Sequence, residues 1–247
     1  MHRSDIEPRH IEPHINEISY IRDLVFGFGD GVNTSLGIVA GVGGAEIASG
    51  IVILAALVGM FTGAKAMAVQ NYLAVKSQRE ILESEIKREL YEIEQLPDRE
   101  RQEIEEIYKA KGFEGDDLQK VVDKITSNKD VWLKTMLTEE LGLNLEIAGS
   151  PLKSAFTMFG AFLLGGILPI IPYFFIGGLT ALLIAIGVSI TSSFIIGAMK
   201  SRMARKSWVR GGIEMAGLGT GIALLGYGIG AELVQSGIIG GEIVQSG

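Results

Sequence analysis

The sequence predicts an all-α membrane protein: a multi-span transmembrane helix bundle of five spans, with a cytoplasmic helical domain inserted after the second. Three observations carry this expectation. Hydrophobic residues reach 47% and mean hydropathy is +0.33, yet 21% of residues are charged, so polar and apolar residues must be segregated along the chain. The acidic charge is concentrated: 19 acidic and 11 basic residues lie between Ser77 and Ser150, a balance of −8 against −7 for the whole chain. Outside that block the chain falls into long apolar stretches, and a transmembrane helix needs about 20 mostly apolar residues.

Five stretches meet that length: 24–42, 51–75, 152–176, 179–199 and 213–234. The third and fourth are nearly free of charge, whereas the first contains Asp30, the second Lys65 and the fifth Glu214. Most of the 33 glycines lie in these stretches, and in a bilayer small residues let helix backbones approach closely. Orientation follows from basic residues. The short connection 200–210 holds five of them, while the opposite connections 43–50 and 174–178 hold none. This places an N-terminal segment, 1–23, the acidic domain, 77–150, and the 200–210 loop in the cytoplasm. Spans occupy 24–76 and 151–235, and a tail, 236–247, lies outside. Residues 1–23 are polar and mixed in charge, unlike a cleavable signal peptide.

Within the acidic domain, the second span is expected to continue as an amphipathic helix over 78–93. Leu82, Ile86, Leu90 and Ile93 form its apolar stripe, with Glu85, Glu89 and Glu92 beside it. Pro97 ends this helix and opens the next, which carries Glu100, Glu103, Ile104 and Ile107. A loop over 112–117, a helix over 117–126 and a last helix over 130–141, with Trp132, Met136 and Glu140, complete the domain.

Composition excludes several functions. Cysteine is absent, so there is no disulfide framework or thiolate chemistry. No basic cluster suits nucleic acid, whereas an acidic patch attracts metal ions or basic proteins. No Ser/His/Asp set, P-loop or dinucleotide fingerprint is present, so neither an enzyme nor a permanently bound cofactor is expected.

Asp30 is the sharpest single residue, because an ionisable side chain inside a span marks an ion or proton pathway by default. The alternative places it near the interface, capping a break at Gly29 and Gly31. Counted from Arg22 and Val75, Asp30 and Met67 each lie eight residues in, about 12 Å from the same face. A carboxylate and a thioether at one level suit a borderline transition metal and disfavour Mg2+ and Ca2+. Lys65 either snorkels to the surface or pairs with Asp30, and the sequence leaves both open. The pairs Glu89/Glu92 and Glu100/Glu103 have i,i+3 spacing, and Met136/Glu140 has i,i+4. Clustered carboxylates repel unless a cation intervenes, so these read either as a solvated acidic face or as a divalent-metal site. His2, His10 and His14 read as tail residues rather than ligands, and the repeated Glu-Leu/Ile-Val-Gln-Ser-Gly at the C-terminus is assigned no role.

These residues resemble the vacuolar iron transporter family. Arg22-Asp-Leu-Val-Phe-Gly-Phe-Gly-Asp30-Gly31 is similar to its first-span signature, and Asn71-Tyr-Leu-Ala-Val-Lys-Ser-Gln-Arg79 to the end of its second span. Leu96-Pro-Asp-Arg-Glu100, then Trp132 and Glu140-Leu-Gly-Leu143, resemble its cytoplasmic domain, and Leu168-Pro-Ile-Ile-Pro-Tyr173 its third span. The resemblance implies a five-span protomer, a homodimer with the path between protomers, and Fe2+/H+ antiport out of the cytoplasm; Mn2+ is a second candidate ion on this chain's own reading. It implies Asp30 and Met67 in the transport path, and a three-helix metal-binding domain with ligands Glu89, Glu92, Glu100, Glu103, Met136 and Glu140. The chain departs from the family in having Gly59 where a carboxylate is common, Leu137 where some members have a second Met, and a charge at Lys65. Gly59 and Lys65 keep open a non-transporting membrane-anchored metal sensor or scaffold. The membrane is expected to be a prokaryotic plasma membrane or a vacuolar membrane.

Overall fold

The structure, a computed structural model, describes residues 15–45, 47–143 and 149–238. All regular structure among the described residues is helical. The elements are α1 (Ile15–Gly44), α2 (Ser49–Gln95), α3 (Pro97–Ala110), α4 (Gly115–Thr126), α5 (Lys129–Thr135), α6 (Pro151–Gly166), α7 (Gly178–Met203) and α8 (Trp208–Gln235). A π-helical turn, Met136–Glu140, follows α5, and a 3-10 turn, Ile171–Phe174, follows α6.

Helices α1, α2, α7 and α8 are long and apolar enough to cross a membrane. The stretch 152–176 is not one continuous helix. Its α-helical part, α6, has 16 residues, about 24 Å at 1.5 Å per residue against a hydrocarbon core of about 30 Å. Pro169 and Pro172 lack the N–H needed to bond back to Gly165 and Leu168, so the chain leaves the α-helix after Gly166 and runs through turns into the 3-10 segment.

The chain divides into two compact units, one built from Glu17–Tyr72 and Pro151–Gly247, the other containing Leu73–Ser150. Helix α2 contributes to both. In the first, the spanning unit, Val39, Ala40, Ala56, Met60, Phe162, Leu182 and Ala185 belong to one buried apolar cluster. Glycine sets how closely its helices approach. A Cβ on Gly165 of α6 would collide with the Phe28 carbonyl oxygen of α1, and one on Gly230 of α8 with the Gly41 carbonyl oxygen. Buried Asp23 on α1 accepts a hydrogen bond from the Ser154 hydroxyl of α6 and pairs with Arg22 at 3.2 Å. Large apolar side chains such as Phe26, Leu54, Leu164, Leu183 and Leu225 face outward. Hydrocarbon rather than water is the solvent that suits this surface.

The second, acidic unit has its own core of Ile93, Ile104, Leu118, Val122, Ile125, Trp132 and Met136. Its helix ends have local causes. Pro97 occupies the first turn of α3, where its missing N–H costs nothing. The Asn128 side chain accepts from the backbone N–H groups of Asp130 and Val131, starting α5. Arg101 of α3 donates to Thr126 at 3.0 Å and pairs with Asp123 at 2.5 Å, locking α3 against α4.

Candidate functional site

In the acidic unit, three elements deliver one carboxylate each to a common point. Glu89 comes from α2, Glu100 from the first turn of α3 and Glu140 from the end of the π-helical turn. One oxygen from each lies within 4.8 Å of the other two. Glu89 is 0% and Glu100 2% exposed, while Glu140 opens to the surface. Both Glu89 oxygens and Oε2 of Glu100 are buried without a hydrogen-bond partner. Burying a carboxylate with no compensating group is costly, so such a cluster takes up either protons or a cation.

The proton affinities follow from that geometry. Burial, then the negative charges of Glu140, Glu100 and Glu92, push the Glu89 carboxyl up to about 8. Burial and then Glu103 push Glu100 up, and burial followed by Glu103 and Glu92 does the same for Glu140. An all-oxygen, multiply negative site of this kind suits a hard or borderline divalent cation, which would replace the proton.

The other residues singled out from the sequence are arranged differently. Glu92 and Glu103 are not part of the trio; Arg88 reaches Glu92 at 3.9 Å and Arg99 pairs with Glu103 at 3.1 Å. They act on the trio through their charge, as the raised proton affinities record. The i,i+4 spacing of Arg88 to Glu92 and of Arg99 to Glu103 is the sequence signal for these pairs. Met136 is 0% exposed and lies in the apolar core with Ile104 and Val122. The expected plain helix over 130–141 is a π-helical turn in its last part, where the Leu141 N–H bonds to the Met136 carbonyl at 3.3 Å. Such turns occur frequently at functional sites, and this one carries Glu140 at its end.

In the spanning unit, Asp30 lines a cavity of about 610 Å3 together with Asn33, Met203, Met215, Arg22 and Lys200. No ion pair or hydrogen bond engages Asp30 among the described residues, and none joins it to Lys65, which is exposed on α2 and does not line the cavity. Met67 packs against the apolar cluster around Met60 and Phe162 rather than lining this cavity. The thioethers that do line it belong to Met203 and Met215, and Met215 Cε lies 3.3 Å from where a Cβ on Gly29 would sit. Depth along the helices ranked Met67 beside Asp30, but depth carries no information about rotation around each helix axis. His2, His10, His14 and the second copy of the C-terminal repeat lie outside the described residues.

A bundle of long apolar helices with a carboxylate lining a cavity of the spanning unit, carrying a separate acidic unit, defines an integral membrane protein. The chain belongs to the VIT family, whose profile matches residues 21–231. It is 32% identical to vacuolar iron transporter 1 of Oryza sativa subsp. japonica over 92% of this chain and 90% of that one. It is 32% identical to vacuolar iron transporter 1 of Arabidopsis thaliana, over 88% and 90%. With the vacuolar iron transporter of Toxoplasma gondii it shares 33% identity over 91% of this chain and 78% of the relative. These names describe transporters, in agreement with the reading that the chain is not an enzyme.

Proposed function

We propose that this protein moves Fe2+ out of the cytoplasm across the membrane that holds it, in exchange for protons, with Mn2+ as a second substrate. The observation that carries the reading is Asp30. It is a carboxylate within a membrane-spanning helix, facing a cavity; of the two basic residues that share this cavity, Arg22 pairs with Asp23 and Lys200 makes no ion pair with Asp30 among the described residues. Holding such a charge between helices is expensive, and a passing cation is the partner that compensates it. The relatives named as vacuolar iron transporters support iron as the substrate and a vacuolar membrane as the location.

In this reading Asp30 and Met67 belong to the path of a homodimer, and carboxylates that exchange metal for protons supply the coupling. The acidic unit faces the cytoplasm, where Glu89, Glu100 and Glu140 bind the ion, Glu92 and Glu103 deepen the negative potential, and Met136 offers a softer donor. The competing reading, a membrane-anchored sensor, draws on Gly59, where a Cβ would run into the Ile38 side chain of α1, and on the extra charge of Lys65. Flux decides between them. Purified protein in liposomes should carry Fe2+ faster when a pH gradient opposes the metal, and Asp30→Ala should abolish that flux while the protein stays folded. Flux of wild-type size in Asp30→Ala would remove the assignment.

A further inference from the structure

The hydroxyls of α7 do not all behave alike. Ser189 donates to the Ala185 carbonyl at 2.7 Å, Thr191 to Gly187 at 2.8 Å and Ser192 to Val188 at 2.8 Å, the usual way a helix hides a hydroxyl from hydrocarbon. Ser193 differs from these three. It is 1% exposed, yet its Oγ has no partner. On α1, Oδ1 of Asn33 is likewise buried and unpartnered. Both oxygens border the same small space, left open because residue 219 of α8 is glycine. A Cβ there would sit 3.4 Å from Ser193 Oγ and 3.6 Å from Asn33 Oδ1. Ser35 Oγ, Asn71 Nδ2 and Tyr173 OH of the same unit are also unpartnered, but Ser193 Oγ and Asn33 Oδ1 are set apart by meeting at one gap beside a glycine of a third helix, where a single guest could compensate both.

Asn33 also lines the cavity that holds Asp30, and it lies one turn further along α1, about 4.5 Å on. We infer that Asn33 Oδ1 and Ser193 Oγ, around Gly219, form a second cation-binding step within each protomer, reached from Asp30 and taking a partly hydrated divalent transition metal. A carbonyl and a hydroxyl oxygen are suitable ligands for such an ion. Being neutral, they bind less tightly than the Asp30 carboxylate, so an ion that reaches them is not trapped there. The nearby Met215 thioether makes the cavity more favourable to Fe2+ than to Mg2+. This inference rests on reading Asp30 as part of the ion path.

The absence of cysteine gives a direct test, because Ser193→Cys introduces the only thiol, at a cost of one atom exchanged. The full-length variant in liposomes should react with a small water-soluble methanethiosulfonate, and saturating Fe2+ under anaerobic conditions should slow that reaction. In parallel, Ser193→Ala and Asn33→Leu should each lower Fe2+ flux about tenfold, the scale of losing one oxygen contact to a charge, and Asn33→Asp, which keeps the oxygen, should recover it. A thiol that stays inert marks a dry core and overturns the inference. So does a thiol modified at the same rate with and without Fe2+, which marks a water site, or wild-type flux in both Ser193→Ala and Asn33→Leu. Asp30→Ala separates the two levels. If that variant still transports, the parent reading fails. If it is inactive while the Ser193 and Asn33 variants transport normally, only the second step fails.

Discussion

Raising the pH should loosen the metal-free acidic unit and tighten its hold on a divalent metal, and one residue sets the size of both effects. Glu89 is fully buried, and burial with the neighbouring carboxylates pushes its carboxyl from 4.5 to about 8. A folded-state value above the unfolded one means that the contribution to stability is complete below about pH 4.5 and is lost as pH rises toward 8. At about 1.36 kcal/mol per unit, the loss across that window approaches about 5 kcal/mol for the metal-free protein. Glu100 and Glu140, also raised, act in the same direction. Metal binding requires the ionised form. With its carboxyl pushed up to about 8, Glu89 is mostly protonated at pH 7 and more so at pH 6, so the apparent Kd should weaken as the pH falls between them. Titration of the full-length protein with Mn2+ by calorimetry at pH 6, 7 and 8, beside thermal unfolding at the same values, measures both arms. Glu89→Gln should flatten the pH dependence of Tm in the metal-free protein and cost most of the Mn2+ affinity. A Kd unchanged between pH 6 and 7 in the wild type, or a Tm that rises from pH 6 to 8 without metal, would refute the reasoning.

Two further outcomes probe packing and the sulfur donor. Gly165→Val should destabilise the spanning unit by about 1–3 kcal/mol, because its neighbour, the Phe28 carbonyl, is backbone and cannot swing aside. Gly160→Ala on the same helix, where nothing lies within 4 Å, should be neutral, and a drop in Tm equal to that of Gly165→Val would contradict the close-approach account. Met136→Leu conserves volume and should cost under about 1.5 kcal/mol. If the thioether is a ligand, this variant narrows the preference for Fe2+ over Mg2+ in competition binding; an unchanged preference makes Met136 a core residue only.

Much of the candidate site was legible before any coordinates, and the reasons it was not wholly so are geometric. Spacing of i,i+3 puts Glu89 with Glu92 and Glu100 with Glu103 on shared helix faces, but a face is broad. Which member of each pair turns inward depends on how α2 and α3 roll against one another. The structure buries Glu89 and Glu100 and leaves Glu92 and Glu103 with arginines. Glu140 joins the trio from a π-helical turn that hydrophobic periodicity does not announce. Pro169 and Pro172 were visible in the third apolar stretch, yet hydropathy averaged over them reads as a span, whereas a missing N–H is felt at one bond.

The order of apolar and acidic segments, and with it a membrane bundle carrying a separate acidic unit, follows from the sequence alone. Those features depend on one-dimensional quantities: run length, period and charge density along the chain. Tertiary structure alone decided which side chains face one another. Asp30 shares its cavity with Asn33, Met203 and Met215, from α1 itself, α7 and α8, while Met67, at the same nominal depth, packs into the apolar cluster. Rotation about a helix axis and the crossing of helices distant in sequence are set by the sum of many close contacts, such as those at Gly165 and Gly230, and no local pattern of residues encodes that sum.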